Sequence, residues 1–365
     1  MCDNDYWSGD SDDSTDGGGE TMERYLVSGW LVCTLWFAAA GCQGVFPQDH
    51  SGVIEHNQVW SGVHRIVDDL VVDAAQVRIQ CGTHVEVAPG ATVEIAGGGQ
   101  IISSGRPECP VVWTSAAARP RPGDWNGIGV GAGSQFLATD TSIEYAGRHR
   151  AALHVAHRAR AELERVRIYR SNYDGIRVER NGRLPLAENL RFSRVAETPL
   201  HVPAAALGVI ENPVFHRSDS RLLVDGGVVT DRTMWDFPDL TVVLRDDVRV
   251  RAPIEISADT TLRFQTGARA IVEHGGIIRA KGRRELAYDS PHRFVRLDFQ
   301  IGSGLEFRGS AGKGSLFRWT VFEGPASLDA VPLYIGESVE VDIEHSFRQG
   351  KTCDPTEESK PEPCT

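Results

Sequence analysis

The most regular feature of the chain is an apolar-polar-apolar unit that keeps returning at nearly constant spacing. Ile128/Val130, Leu153/Val155, Ile176/Val178 and Leu200/Val202 recur at intervals of 25, 23 and 24 residues. A second set, Ile143/Tyr145, Val166/Ile168 and Leu190/Phe192, recurs at 23 and 24, out of phase with the first. In extended backbone successive side chains point to opposite sides. Each unit therefore predicts a short strand with two residues turned inward and the middle one outward. Two strand sets that share one period bring the chain back to the same places once per turn. Long amphipathic helical stretches and leucine-rich signatures are missing. The prediction is an all-β solenoid: stacked coils of short strands, each adding about 4.8 Å of height, with aliphatic residues piled over like residues. Each coil would then touch only its neighbours.

A coarser repeat overlies the fine one. Residues 69–105, DLVVDAAQVRIQCGTHVEVAPGATVEIAGGGQIISSG, align without a gap to residues 246–282, DDVRVRAPIEISADTTLRFQTGARAIVEHGGIIRAKG. The offset is 177 residues and 11 of 37 positions are identical, among them Gly90/Gly267, Gly98/Gly275, Gly99/Gly276 and Gly105/Gly282. This predicts an internal duplication of about 177 residues, with one copy over 59–225 and a second over 226–350. Residues 42–58 read as a linker and residues 351–365 as a polar tail.

These residues resemble the bacterial right-handed parallel β-helix proteins of the pectin-lyase-like superfamily, in their surface-protein form. VEVAPGATVEIAGGGQIISSG looks like a pair of rungs. CPVVWTS, GDWNGIGV and TSIEYAG follow as the later rungs do in that pattern. The resemblance covers roughly 60–225 and 230–347. It is specific for the fold and poor for function, because one architecture carries many unrelated activities. Enzymes of this superfamily mostly cut acidic polysaccharides, so the resemblance makes a polysaccharide lyase or glycoside hydrolase the alternative to a binding protein. The polygalacturonase-like Asn-Thr-Asp and Gly-His-Gly elements are absent, and so are the pectate-lyase-like Trp-Ile-Asp-His and Arg-x-Pro-x-x-Arg stretches. Paired carboxylates occur at Asp68-Asp69 and Asp246-Asp247; two carboxylates can serve acid-base chemistry, but both pairs stand at turns entering the repeated unit. No catalytic residue is assigned. No cofactor motif is present, and the cysteines and histidines lack metal-ligand spacing. Trp125 reads as a corner plug rather than a sugar platform.

Residues 26–41 are mostly apolar and stop at Cys42. The run is shorter than the roughly 20 residues of a membrane-spanning helix and has the proportions of a signal-peptide core. Ala39-Ala40-Gly41-Cys42 looks like a bacterial lipobox, which implies lipid attachment at Cys42 and a signal peptide over 22–41. An ordinary secretory signal is the competing reading. Gln43 after the cysteine, in place of Asp, implies sorting to the outer membrane. Residues 1–21 hold seven acids and no Lys or Arg, the reverse of a signal's basic start, so they read as a mis-called extension before Met22.

The full chain has net charge −12; without the seven acids of residues 1–21 it is −5. That balance speaks against a nucleic-acid partner. Between Arg148 and Arg194, however, stand twelve arginines against five acids. With the apolar pairs inward, His154, Arg177 and His201 form one outward column, and Glu144, Arg167 and Arg191 another. Stacked like charges repel, which suits either an acidic polysaccharide or lipopolysaccharide phosphate as ligand, or pairing with Glu162, Glu164 and Glu179. Four cysteines follow Cys42. An even number in an exported chain suggests disulfides, Cys353 with Cys364 and Cys81 with Cys109. Mass spectrometry of the mature N-terminus, on a delipidated form, is expected to start at Cys42; a mature chain that retains residues 1–21 removes the lipoprotein reading.

Overall fold

In a computed structural model, the described residues are 47–283, 293–308, 311–324, 333–335, 341–348 and 351–352. Cys42, Cys353 and Cys364, the signal segment and residues 1–21 lie outside them. The described chain is a right-handed parallel β-solenoid with almost no helix. Its pairing begins inside the segment expected to be a linker, where Gln48–Ile54 runs parallel to Val63–Asp73.

The reason for the coil is visible in one inward ladder. Ile128, Leu153, Ile176, Leu200, Leu222, Val242, Leu262, Leu297 and Phe322 are consecutive in-register partners across nine strands. All nine are buried. Parallel pairing satisfies the backbone above and below each strand, while burial of an aliphatic side chain contributes roughly 1.5–3 kcal/mol. Phe264 and Phe299 extend the same logic as stacked rings 4.7 Å apart.

Each turn contributes up to three strands. The first face includes Thr92–Ala96, Gly127–Val130, Leu153–Val155, Ile176–Val178, Leu200–Val202, Arg221–Val224 and Thr241–Leu244. The second follows with residues 160–164, Arg183–Glu188 and Ile210–Glu211. The third carries residues 166–169, Arg191–Ser193 and Val214–His216. Corners between the second and third faces are made by Asp140, Arg165, Asn189 and Asn212, all in the left-handed region with φ of 44° to 54°. Asn and Asp tolerate that region best.

The second and third faces do not continue past residue 217. After Pro203 a 3-10 turn, Ala204–Val209, intervenes, and Gly208 packs so closely that an added Cβ would meet Thr233 Oγ1 at 1.6 Å. Two new five-stranded sheets then start at Gly227–Val229 and Thr233–Trp235. Only the first face runs through this seam, from Leu200–Val202 by Arg221–Val224 to Thr241–Leu244.

Two expectations from the sequence meet a different arrangement. The 177-residue duplication is not confirmed as repeated architecture. The aligned strands His84–Val87 and Thr261–Phe264 occupy different faces: the first pairs with residues 63–66 and Val111–Ser115, the second continues the first face. The second ladder is also shifted. Ile143 pairs with Ile168 and Thr141 with Val166, so the inward unit is Thr141/Ile143, not Ile143/Tyr145. A slip of two residues keeps every side chain on its own side, so alternation alone does not reveal it. Arg167 accordingly stacks between Ser142 and Arg191, and Glu144 faces Tyr169. Cys81 and Cys109 stand side by side as thiols, and their mutual hydrogen bond pushes the Cys109 thiol up to about 11.

Ile176→Ala is expected to cost about 2–5 kcal/mol, the range for truncating a buried aliphatic side chain. Because rungs touch only their neighbours, hydrogen exchange should rise first in residues 150–205. A loss of protection spread evenly to residues 260–300 would contradict the one-dimensional stacking.

Candidate functional site

The first face presents an outward ladder of Glu94, Gly129, His154, Arg177 and His201. His154, Arg177 and His201 therefore stand in register as the sequence predicts. Their surroundings differ from rung to rung. Gly129 carries no side chain, and a Cβ there would lie 2.1 Å from Glu94 Oε2. The gap lets the Glu94 carboxylate lie across the rung and meet Arg150 Nη1 at 2.5 Å. His154 Nε2 is 3.0 Å from Glu179 Oε1, and Glu179 also accepts the His157 amide at 2.9 Å. Arg177 reaches Asp174 only at 3.7 Å.

His201 points outward from the core yet is 1% exposed. The seam covers it. Its Nε2 is 2.7 Å from Asp225 Oδ1 and its Nδ1 is 3.8 Å from Asp174 Oδ2. Burial opposes charging this imidazole, but Asp174 and Asp225 outweigh burial and the nearby Arg177, and the pKa rises above the ordinary histidine value. Burial likewise opposes ionising Asp225, yet His201, Arg245 and Arg177 hold its carboxyl below the usual range. The result is a covered ion-paired network beneath the surface.

Over this ladder lies a groove of about 510 Å³ lined by His149, Arg150, His154, Tyr173, Arg177, Glu179, Arg180 and Asp225. Arg180 also lines a second, neighbouring groove of about 720 Å³, which includes Arg245, Asp246, Asp247 and Arg249. Its guanidinium donates to the Asp225 carbonyl at 3.1 Å and approaches Asp246 at 3.6 Å. The two grooves thus share a wall at the seam. Arg167 and Arg191 are elsewhere, exposed on the third face. The five residues grouped in the sequence as one polyanion site therefore fall on two faces.

Sequence reasoning missed Arg150, Asp174, Tyr173, Arg180 and Asp225 as groove residues. All but Asp225 lie in the turns flanking Leu153–Val155 and Ile176–Val178, and turn residues carry no period that a pattern detects. Other candidates resolve structurally. Trp125 is fully buried with its indole donating to the Glu144 carbonyl at 2.8 Å. Asp69 accepts the Thr92 amide and Asp247 accepts the Arg269 amide, so these aspartates close turns. Among the described residues no group of three or more His, Cys, Asp or Glu is placed to hold a metal ion.

The His201 network has a definite pH signature. A histidine whose pKa is raised by folding stabilises the fold below its unfolded value, near 6.5, and that contribution is lost as pH rises through the higher folded value. Hydrogen exchange across residues 200–225 is therefore expected to accelerate as pH rises above about 6.5, after correction for intrinsic exchange, and His201→Asn should flatten that dependence. An unchanged profile in His201→Asn would show that the imidazole stays neutral.

A family model described as pectate-lyase like beta helix domain matches residues 53–148. That family covers both enzymes and binding proteins. No curated protein and no solved structure matches the chain. The ladders through residues 63–148 are those that carry His154 and Arg177 one and two rungs further on, so the stretch similar to that family over 53–148 shares a continuous coil with the groove.

Proposed function

We propose that this protein is a lipid-anchored cell-envelope β-helix, tethered through Cys42, that binds an acidic glycan along the first face. The observation that carries the reading is the groove over Arg177. It is open to solvent, bordered by Arg150, His154 and Arg180, and flanked by the 40%-exposed ring of Tyr173. A guanidinium held only loosely by Asp174 is suited to bidentate contact with a uronate carboxylate. An exposed tyrosine offers an apolar surface to a sugar ring. The lipobox-like sequence supports an envelope location, and the Gln43 residue favours the outer membrane.

A second reading is catalytic, and one observation favours it: bases and carboxylates converge in the same groove. In β-elimination on a uronate, His154 would take the C5 proton, the C5–H electrons would form the C4=C5 double bond as the C4–O bond breaks, and the leaving oxygen would take a proton from solvent water, with Arg177 neutralising the carboxylate. Against it, each carboxylate there is already engaged. Glu179 is held by His154 and the His157 amide, and Asp225 by His201 and Arg245. Asp225, kept below the usual carboxylate range, is a poor general acid. Binding without turnover accounts for the geometry with fewer free groups.

An array of acidic and neutral glycans, read for both retention and unsaturated product, separates the two. Retention of polygalacturonate-type chains without product is expected. Arg177→Ser should weaken it by about tenfold, the scale of one charge-assisted contact. Product formation that disappears in His154→Ala would establish the catalytic reading, and equal retention of neutral and acidic glycans would remove both.

A further inference from the structure

The third face carries a surface that the groove does not use. Its outward positions form three parallel columns over four rungs. Ser142, Arg167, Arg191 and Val214 are in register, and beside them run Glu144, Tyr169, Ser193 and His216. At the adjoining corner stand Tyr145, Arg170, Arg194 and Arg217, each in the left-handed region with φ of 49° to 59°. The Tyr145, Arg170 and Arg194 amides donate to the Tyr169, Ser193 and His216 carbonyls at 2.9, 2.9 and 3.2 Å, which fixes the corner column in step with the other two. Five arginines thus share a strip about 14 Å tall, three strand spacings. The acid in these columns is Glu144, and Ser142 Oγ donates to it at 2.8 Å.

Elsewhere on the solenoid several arginines are neutralised by an acid one rung away. Arg251 pairs with Glu273, Arg263 with Asp298, Arg269 with Glu306 and Arg296 with Glu323. Arg165, at the next corner, is held by Asp140 and Glu164. Among the described residues, Arg167, Arg170, Arg191, Arg194 and Arg217 have no carboxylate partner. Two of them are instead ordered by tyrosine. The Arg167 guanidinium lies 4.6 Å from the Tyr169 ring, and Arg170 lies 5.1 and 5.6 Å from the Tyr169 and Tyr145 rings. Stacking on a ring orients a guanidinium while leaving its in-plane N–H donors free. This fold can interleave acids, and at this strip it places aromatic rings instead.

We infer that this face is a second binding surface, distinct from the groove, for the phosphate groups of an anionic lipid headgroup layer. Free guanidinium forks match tetrahedral oxyanions. The donors stand in parallel columns along a face and its adjoining corner, so they meet phosphates spread over a surface. Tyr145 and Tyr169 add the amphipathic rings suited to a membrane-water boundary, and Val214, 52% exposed, stands at the end of the arginine column.

The test uses the full chain carrying Cys42→Ser, so that no anchor contributes, with vesicles of phosphatidylcholine alone or mixed with phosphatidylglycerol. Binding to the mixed vesicles alone is expected, weakening with added salt. The triple variant Arg167→Ser, Arg170→Ser, Arg191→Ser should lose at least tenfold in affinity. A second variant, Arg194→Ser with Arg217→Ser, keeps both tyrosine stacks and should also lose affinity, by severalfold. Arg177→Ser, which tests the groove, should bind vesicles like the parent. Equal vesicle binding by parent and both arginine variants overturns the inference. So does capture of soluble polyphosphate by this face without vesicle binding, which would assign it to free phosphate chains.

Discussion

Everything in this molecule follows from the parallel in-register pairing of short strands. Each rung satisfies its backbone through the rungs above and below, so no rung is complete by itself. The inward residues from Ile128 to Phe322 form one apolar ladder because pairing leaves them nowhere else to go. The same constraint brings outward residues into columns at a fixed step. Function on such a scaffold is decided by what is stacked on what, more than by which residues are near in sequence.

Column chemistry explains the two different surfaces. On the first face, cations and acids alternate in depth. Glu94 is engaged by Arg150, Glu179 by His154, and Asp174 with Asp225 enclose His201. The groove is consequently polar but mostly balanced, and Arg177 is the group left with slack. On the third face, arginines repeat without acids, and tyrosine rings take over their ordering. The corner residues there occupy a backbone region that side chains enter at an energetic cost. Asn189 and Asn212, at the neighbouring corner, show the cheaper choice.

How much of this was legible depends on whether a signal repeats. Leu153, Ile176 and Leu200 align as their spacing suggests, because inward positions recur at nearly the same interval. The Ile143/Tyr145 pair misled, since a two-residue slip leaves alternation intact and only hydrogen bonding reveals the true partner. His201 was placed in the right column but with the wrong exposure. Its flanking groups, Asp174 and Asp225, stand outside the strands, where no period marks them. Arg167 and Arg177 sit ten residues apart in sequence but on separate faces, a distinction that composition does not carry.

The seam at residues 203–217 has a mechanical meaning. Above and below it three sheets share any tension along the solenoid axis, but across it a single sheet remains, joined by Leu200–Val202, Arg221–Val224 and Thr241–Leu244. Strain along the long axis would concentrate at that one hinge. Stretching would part the wall shared at Arg180 before it disturbed either half, so that tension along the axis and occupation of both grooves would oppose each other.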